Sequence, residues 1–113
     1  MKVYGIVNCS TVKAARAWLG ARELAYEFVD FKKTPPTADL LARWCGAFGW
    51  ETVLNRRGTT WRQLSPAAQA RVRDEKSAIA LMIDKPSVIK RPIIDDGGPR
   101  LIGFDEAQYA KTL

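Results

Sequence analysis

The sequence contains no histidine and only two cysteines, Cys9 and Cys45, among its 113 residues. Two cysteines are too few for the disulfide framework of a small secreted domain, and without histidine they are too few for a structural zinc site. The missing imidazole also excludes every Ser/His and Cys/His catalytic arrangement, because imidazole is the general base in them. A nucleophile in this chain must be activated in another way, and we expect no bound metal or cofactor.

Long apolar runs are also absent. No segment approaches the ~20 apolar residues that a membrane-spanning helix needs. The run from Val3 to Val7 is too short for a signal peptide, and the polar Asn8 follows it. Because a chain of this length is the usual size of one domain, we expect residues 1–113 to form a single cytoplasmic domain with no membrane partner.

The charged residues give a formal net charge of +6. Such a balance favours anionic partners, which could be nucleic acid, an oxyanion or a small acidic thiol such as glutathione. The basic residues are spread along the chain, however, and the densest group is Arg56, Arg57 and Arg62. Most of them therefore read as solvated surface, and no direct contact with nucleic acid is expected.

The first third of the chain has the pattern of a βαβ unit. Residues 1–6 are rich in strand-forming side chains. Ser10 or Thr11 can cap the helix that follows, which ends near Gly20. Its predicted apolar stripe consists of Val12, Ala14, Ala15, Trp18 and Leu19. Residues 26–31 alternate aromatic and aliphatic side chains with polar ones, which indicates a second strand.

The middle of the chain predicts a helical insert over residues 37–84. Thr37 is placed to cap a helix from about 38 to 48. A helical turn is expected near Trp61, then a helix opened by Pro66 and another beginning at Ser77. These segments are helical in period and contain no strand pattern beyond the short apolar piece Val53-Leu54.

The last part returns to strands. Val88 and Ile89 are followed by the apolar run 92–94, by the turn sequence DDGGP and by the run 100–102, which together indicate a hairpin. Asp105 is placed to cap a terminal helix. The resulting order of elements predicts an α/β chain with a thioredoxin-like fold, in which a four-stranded mixed sheet has flanking helices and the helical insertion.

Cys9 is the strongest candidate for a reactive group. It lies between the first strand and the first helix, where free backbone N–H groups and the positive end of the helix dipole favour a thiolate. Such a place can lower a cysteine pKa below its usual ~8.5, and Lys13 adds a cation one turn into the helix. The alternative is a small, inert cysteine at a strand end, but the polar neighbours Asn8, Ser10 and Thr11 favour a reactive one.

Cys45 calls for the opposite interpretation. It lies on the apolar face of the predicted helix 38–48, near Trp44 and Phe48. A thiol in apolar surroundings stays protonated and inert, and no role is assigned to it.

A second feature is the segment KRPII, residues 90–94. A proline at the start of a strand cannot donate to the ladder, so it belongs at an edge, a turn or a cis bond. If Pro92 is cis, it presents the backbone of Arg91 outward, where it can pair with a bound peptide. The alternative is a trans proline that begins an edge strand.

Four segments together resemble one protein family: NCSTVKAARAWL, NRRGTTWRQL, KRPIID and RLIGF. They are similar to the Spx and arsenate-reductase (ArsC-like) family, most of all to its small YffB-like branch, and they cover nearly the whole chain in the same order. The resemblance implies a thioredoxin-type core with a helical insert, a nucleophile at Cys9 and a cis proline at Pro92 facing it.

The departures from this family bear on the substrate. The resemblance places arginines of the arsenate reductases at Asn55 and Gly103 here, so oxyanion binding should be weak, because guanidinium forks suit tetrahedral oxyanions. Spx-type regulators bind RNA polymerase and sense oxidation through a Cys-x-x-Cys pair, whereas this chain has CSTV. Arg57 fits a pattern that the regulators share with the YffB-like branch, so it does not discriminate between them.

A single activated thiol predicts a cycle in which Cys9 attacks a mixed disulfide or an oxidised substrate, and external glutathione resolves the adduct. The YffB-like resemblance also implies a glutathione-dependent thiol reductase. Arg91 would stabilise the thiolate or an anionic adduct, while Lys13 lowers the pKa of Cys9 and Pro92 shapes the edge where glutathione docks. The alternatives are a regulatory protein that binds RNA polymerase and a weak arsenate reductase.

The predicted glutathione-binding set is wider than the catalytic group of Cys9, Lys13 and Arg91. Hydroxyl groups near the thiol could donate hydrogen bonds to sulfur, and cations there could bind the carboxylates of glutathione. The residues assigned to this set are Ser10, Thr11, Arg57, Arg91 and Pro92.

Overall fold

A computed structural model describes all 113 residues, and they form two compact units. The sheet unit combines Met1–Thr34 with Arg91–Leu113, and the helical unit is Pro35–Lys90. The helical unit encloses the insert predicted at residues 37–84 and extends it at both ends. The expectation that the whole chain forms one domain stays a prediction.

The sheet unit contains four strands and two helices. Its elements are β1 (Lys2–Gly5), α1 (Ser10–Ala21), β2 (Glu27–Asp30), β3 (Ile93–Asp95), β4 (Leu101–Ile102) and α7 (Glu106–Thr112). The strand order is β2-β1-β3-β4, with β1 parallel to β2 and antiparallel to β3. Since β3 and β4 also pair antiparallel, the predicted four-stranded mixed sheet is confirmed.

The core of the sheet unit joins the sheet to both helices. Val3 of β1 and Ile94 of β3 are opposite each other in register and fully buried. The stripe predicted for α1 is confirmed at Val12, Ala15, Trp18 and Leu19, whereas Ala14 is exposed. Tyr109 of α7 packs edge-on against Trp18, with ring centroids 5.6 Å apart. The hydrophobic periodicity of α1 therefore fixes which face covers the sheet.

The helical unit consists of five helices and a short 3₁₀ turn. The elements are α2 (Ala38–Phe48), α3 (Trp50–Val53), α4 (Thr59–Arg62), α5 (Pro66–Ala70), α6 (Glu75–Asp84) and the 3₁₀ turn Pro86–Val88. The cap predicted for α2 is confirmed, since the Thr37 side chain accepts a hydrogen bond of 3.2 Å from the Leu40 N–H. No helix of the protein combines the length and apolar character that a bilayer span requires.

Two local predictions for the helical unit are wrong. The helix α6 begins at Glu75 and not at Ser77: Asp74 is its N-cap, and Ser77 completes a reciprocal capping box with Asp74. Val88 and Ile89 do not form a strand, because Val88 ends the 3₁₀ turn and Ile89 makes an isolated antiparallel bridge with Leu54. Both errors arise where a short apolar or polar pattern fits more than one backbone conformation.

Candidate active site

The thiol of Cys9 lies at the start of α1. Cys9 is the N-cap residue, with φ −90° and ψ 124°, and its carbonyl accepts a hydrogen bond of 2.9 Å from the Lys13 N–H. The expectation that Ser10 or Thr11 caps this helix is therefore wrong. Because β1 ends at Gly5 and only four residues separate it from α1, the thiol is held close to the end of the sheet. Its side chain is partly exposed, as a nucleophile requires.

The pKa of the Cys9 thiol is lowered from its ordinary value of 9.0. Partial burial raises this pKa, but it is outweighed by the Val12 N–H, by the hydrogen bond and charge of the Arg91 side chain, and by the Thr11 N–H. The sulfur makes no regular capping hydrogen bond to α1, so these two N–H groups act as nearby dipoles. The thiolate is thus favoured by the helix N-terminus and by one guanidinium.

Lys13 is not among the groups that lower this pKa. Its side chain is exposed, and its contact with Cys9 is through the main chain. The side chains of Ser10 and Thr11 are exposed as well, and Thr11 acts on the sulfur through its backbone N–H. The roles assigned to the Lys13 ammonium and to the two hydroxyls stay predictions.

Arg91 and Pro92 lie where the chain enters β3. The Arg91-Pro92 peptide bond is cis, and Pro92 is buried next to the first residue of the strand. Because β3 lies between β1 and β4, the alternative of a trans proline on an edge strand is wrong. The Pro92 carbonyl accepts a hydrogen bond of 2.8 Å from the Gly103 N–H. This arrangement places the Arg91 side chain beside the Cys9 thiol, although the two residues are far apart in the sequence.

Arg57 belongs to the helical unit. Its backbone N–H donates to the Asn55 side chain at 3.1 Å, and its carbonyl accepts from the Arg62 guanidinium at 2.5 Å. Arg57 lines a cavity of about 370 Å³, together with Arg56 and Lys90. Arg56 is paired with Glu51 at 3.2 Å. This cavity has the charge to hold an anion, and the assignment of Arg57 to glutathione stays a prediction.

Cys45 lies inside the helical unit and has the opposite character to Cys9. Its residue is 4% exposed, which agrees with the apolar helix face predicted for it. Burial, and secondarily the nearby charge of Glu75, raises the pKa of the Cys45 thiol to about 11. A thiol of this kind is protonated and inert near neutral pH.

The sequence pattern did not reveal three contacts at and near the site. The Val12 N–H acts on the sulfur, whereas the sequence marks Val12 only as part of an apolar stripe and as the position of a resolving cysteine in dithiol enzymes; its action follows once Cys9 is known to be the N-cap. Gly103 contacts Pro92, and Tyr109 contacts Gly103 through a buried hydroxyl. No local motif connects Gly103 to Pro92, because they meet through the antiparallel pairing of β3 with β4.

The sequence and the fold of the chain are both similar to those of known proteins. A family model described as the ArsC family matches residues 4–112. An uncharacterised protein of Haemophilus influenzae is 37% identical, over 95% of this chain and 93% of the relative. The global transcriptional regulator Spx of Streptococcus agalactiae is 29% identical, over 94% of this chain and 77% of the regulator.

The solved structure of a YffB protein superposes with a TM-score of 0.93. It is 47% identical in sequence and covers 99% of this chain and 97% of its own. With the mixed sheet and flanking helices described above, this match establishes a thioredoxin-like fold for the chain.

Proposed function

The chain belongs to the ArsC family, and we propose that it is a thiol-disulfide reductase whose one nucleophile is Cys9 and whose co-substrate is glutathione. The observation that carries the proposal is the state of the Cys9 sulfur: partly exposed at the start of α1, contacted by the Arg91 side chain, and with a lowered pKa. A thiolate is the reactive form in thiol-disulfide exchange, so these features favour attack on a disulfide.

The reaction has two exchange steps. In the first, the Cys9 thiolate attacks the glutathione sulfur of a mixed disulfide, a Cys9–glutathione disulfide forms, and the substrate leaves as a thiolate that takes up a proton. In the second, the thiolate of another glutathione attacks the glutathione sulfur of this adduct, which releases oxidised glutathione and restores the Cys9 thiolate. One substrate disulfide is reduced for each two-electron oxidation of glutathione.

The second thiol of the cycle is supplied from outside in this proposal. Val12 stands where a dithiol enzyme of the Cys-x-x-Cys type would carry its resolving cysteine. Cys45 is buried, and its raised pKa keeps it protonated near neutral pH. Glutathione is small and acidic, so it also matches the net positive charge of the chain.

The test compares two cysteine variants. Reduction of a glutathionylated peptide is followed with purified protein, glutathione, glutathione reductase and NADPH. Cys9→Ala is expected to lower the rate to that of the reaction without protein, while Cys45→Ala keeps most of the activity. Mass spectrometry should find a glutathione adduct on Cys9 in the Cys45→Ala protein.

Two results would contradict this function. Equal loss of activity in both variants would remove Cys9 from its role as the one nucleophile. A Cys9→Ala protein that still forms a glutathione adduct and turns over would place the chemistry elsewhere.

A second candidate function is regulation through contact with RNA polymerase, and the similarity to the regulator Spx favours it. In that case Cys9 would be dispensable. Co-purification with RNA polymerase, retained in a Cys9→Ser variant that has lost no stability, would support the regulatory function.

Arsenate reduction is expected to be weak. Asn55 and Gly103 occupy the positions where the arsenate reductases are expected to carry arginines. Asn55 accepts a hydrogen bond from the Arg57 backbone, and Gly103 has φ 74°, a conformation that an arginine would adopt only with strain. An arsenate-dependent oxidation of glutathione as fast as the reduction of a mixed disulfide would contradict this expectation.

A further inference from the structure

The hydroxyl of Tyr109 is buried and has one defined partner. Tyr109 is on α7, its residue is fully buried, and its hydroxyl donates to the Gly103 carbonyl at 2.6 Å. Burial raises the pKa of the Tyr109 hydroxyl, so it remains a donor throughout the physiological pH range. A buried tyrosine usually satisfies its hydroxyl, and here the partner is a main-chain atom of the segment that follows β4.

Gly103 connects Tyr109 to the segment that carries Arg91. Its N–H donates to the Pro92 carbonyl at 2.8 Å, and Pro92 directly follows Arg91. Gly103 has φ 74°, in the region that favours glycine. Gly103 directly follows Ile102, the last residue of β4, and two hydrogen bonds hold its peptide groups: its carbonyl accepts from the Tyr109 hydroxyl, and its N–H donates to Pro92.

The ring of Tyr109 is held independently of its hydroxyl. It packs edge-on against Trp18, and edge-on against Phe104 with ring centroids 4.9 Å apart and an interplanar angle of 87°. Removal of the hydroxyl alone therefore leaves the ring packing in place. What it removes is one buried hydrogen bond, and it leaves the Gly103 carbonyl without that donor.

We propose that the Tyr109 hydroxyl is a positioning group for the nucleophile: through Gly103 it fixes the main chain at Pro92 and so holds the Arg91 guanidinium against the Cys9 sulfur. The link runs Tyr109 to Gly103 to Pro92, then along one peptide bond to Arg91. It rests on the proposed function only in taking Cys9 as the nucleophile. Because the attraction between guanidinium and thiolate falls with distance, a looser main chain at Pro92 weakens it.

The main test measures the alkylation of Cys9 in the Tyr109→Phe protein. The rate with iodoacetamide is followed against pH in a Cys45→Ala background, so that Cys9 is the thiol that reacts. We expect the midpoint to rise by about half a pH unit and the rate at neutral pH to fall about threefold, because thiolate is lost in proportion.

The matched control is Tyr4→Phe. Tyr4 is also a buried tyrosine of the sheet unit, and its hydroxyl donates at 2.7 Å to the carboxylate of Asp96, which follows β3, whereas Pro92 precedes this strand. It loses one hydroxyl hydrogen bond, as Tyr109→Phe does. We expect its alkylation midpoint to stay that of the parent, even where the two variants lose equal thermal stability.

A double-variant cycle separates this role from a general loosening of the core. With Arg91→Ala in place, Tyr109→Phe should move the midpoint no further, since it acts through Arg91. Gly103→Ala perturbs the middle of the same link while keeping the Tyr109 hydroxyl, and it should raise the midpoint in the same direction. It serves as the test variant if Tyr109→Phe does not fold.

The positioning role is overturned if Tyr109→Phe and Tyr4→Phe shift the midpoint equally, if neither shifts it, or if Tyr109→Phe has its full effect without Arg91. These readouts do not depend on glutathione turnover. A raised midpoint in Tyr109→Phe, in a protein that reduces no glutathione disulfide, would leave the positioning role intact and remove the proposed function. Glutathione turnover at the full rate in Tyr109→Phe, with an unchanged alkylation midpoint, would leave the proposed function intact and overturn the positioning role.

Discussion

The two cysteines have the same side chain and opposite chemical states. Cys9 is partly exposed beside backbone N–H groups and the Arg91 guanidinium, and its pKa is lowered. Cys45 is buried near a carboxylate, and its pKa is raised to about 11. At neutral pH a modest electrophile should therefore label Cys9 selectively in the folded protein.

The thiolate of Cys9 is expected to depend on Arg91 and not on Lys13. Arg91→Ala removes a hydrogen bond and a positive charge from the sulfur, so the pKa of Cys9 should rise and its alkylation profile should move to higher pH. Lys13→Ala should leave the profile unchanged, because Lys13 is not among the groups that lower this pKa. Rapid iodoacetamide kinetics on both variants, in a Cys45→Ala background, make the comparison.

A larger shift for Lys13→Ala than for Arg91→Ala would reverse this assignment of roles. It would favour the prediction made from the sequence, in which the Lys13 ammonium, one turn into the helix, activates the thiol.

Cys45 should make the protein less stable at alkaline pH. A thiol whose pKa is 9.0 when unfolded and about 11 when folded binds more protons in the folded state between these values, so the free energy of unfolding falls as pH rises through that window. Cys45→Ala should reduce the slope, whereas Cys9→Ala should not. Urea unfolding at a series of pH values measures it, and an identical slope in the parent and in Cys45→Ala would contradict the burial of this thiol.

The helices α1 and α6 differ in whether the N-cap side chain forms a capping hydrogen bond. The N-cap of α6 is Asp74, whose side chain accepts the Ser77 N–H at 2.9 Å, while the Ser77 hydroxyl accepts the Asp74 N–H at 3.1 Å. The N-cap of α1 is Cys9, which forms no regular capping hydrogen bond. An N-terminus left open in this way keeps its N–H dipoles available to a thiolate.

The capping box of α6 should weaken in acid. The Ser77 hydroxyl and N–H lower the pKa of Asp74 below its usual 3.8, so its stabilising effect is present above that value and is lost as pH falls through the lowered pKa. Asp74→Asn cannot titrate and should show a flatter decline in the free energy of unfolding between about pH 5 and pH 2.5. A decline of the same steepness in both proteins would mean that other carboxylates dominate.

The short strands show what pairing adds to a weak pattern. β4 contains two residues, Leu101 and Ile102, and is placed by its register with Ile94 and Ile93. A pattern this short fits many conformations, and only the neighbouring strand selects one. The same pairing brings Gly103 to Pro92, on which the proposed role of Tyr109 depends.

Part of the positive charge of the chain has partners within the protein. Several cations have partners: Lys2 lies near Glu27 and Asp96, and Arg100 contacts Asp95. Two others lie over aromatic rings, Arg16 over Phe28 at 4.0 Å and Arg22 over Trp18 at 3.8 Å. These contacts place part of the charge in structural roles.

Duplex DNA should therefore bind weakly. Fluorescence anisotropy with a labelled duplex is expected to show no saturable binding at about 0.15 M salt, since the basic residues are spread along the sequence and several of them are paired. Tight binding whose affinity falls steeply with salt would indicate several phosphate contacts and would contradict the expectation.

The sheet unit is assembled from both ends of the chain, with the helical unit between them in sequence. The strand order β2-β1-β3-β4 places β1, from the N-terminus, beside β3, from the last quarter of the chain. Cys9 and Arg91 can therefore be far apart in sequence and still meet at one end of the sheet.

The sequence alone was sufficient for several features that depend on local chemistry, although it misplaced the caps of α1 and α6. Periodicity identified α1 and α2, Thr37 and Asp105 marked helix starts that are confirmed, and the motifs around Cys9 and Pro92 indicated the ArsC family, to which the chain belongs. These features are set by residues within a few positions of one another, so their patterns survive without the fold.

The tertiary structure decided the environment of the thiol. That the Arg91 side chain acts on the Cys9 thiol, and that Tyr109 is linked to Pro92 through Gly103, both depend on contacts between distant segments. A pKa is set by distances and burial in three dimensions, and sequence spacing fixes these only within one turn or one hairpin.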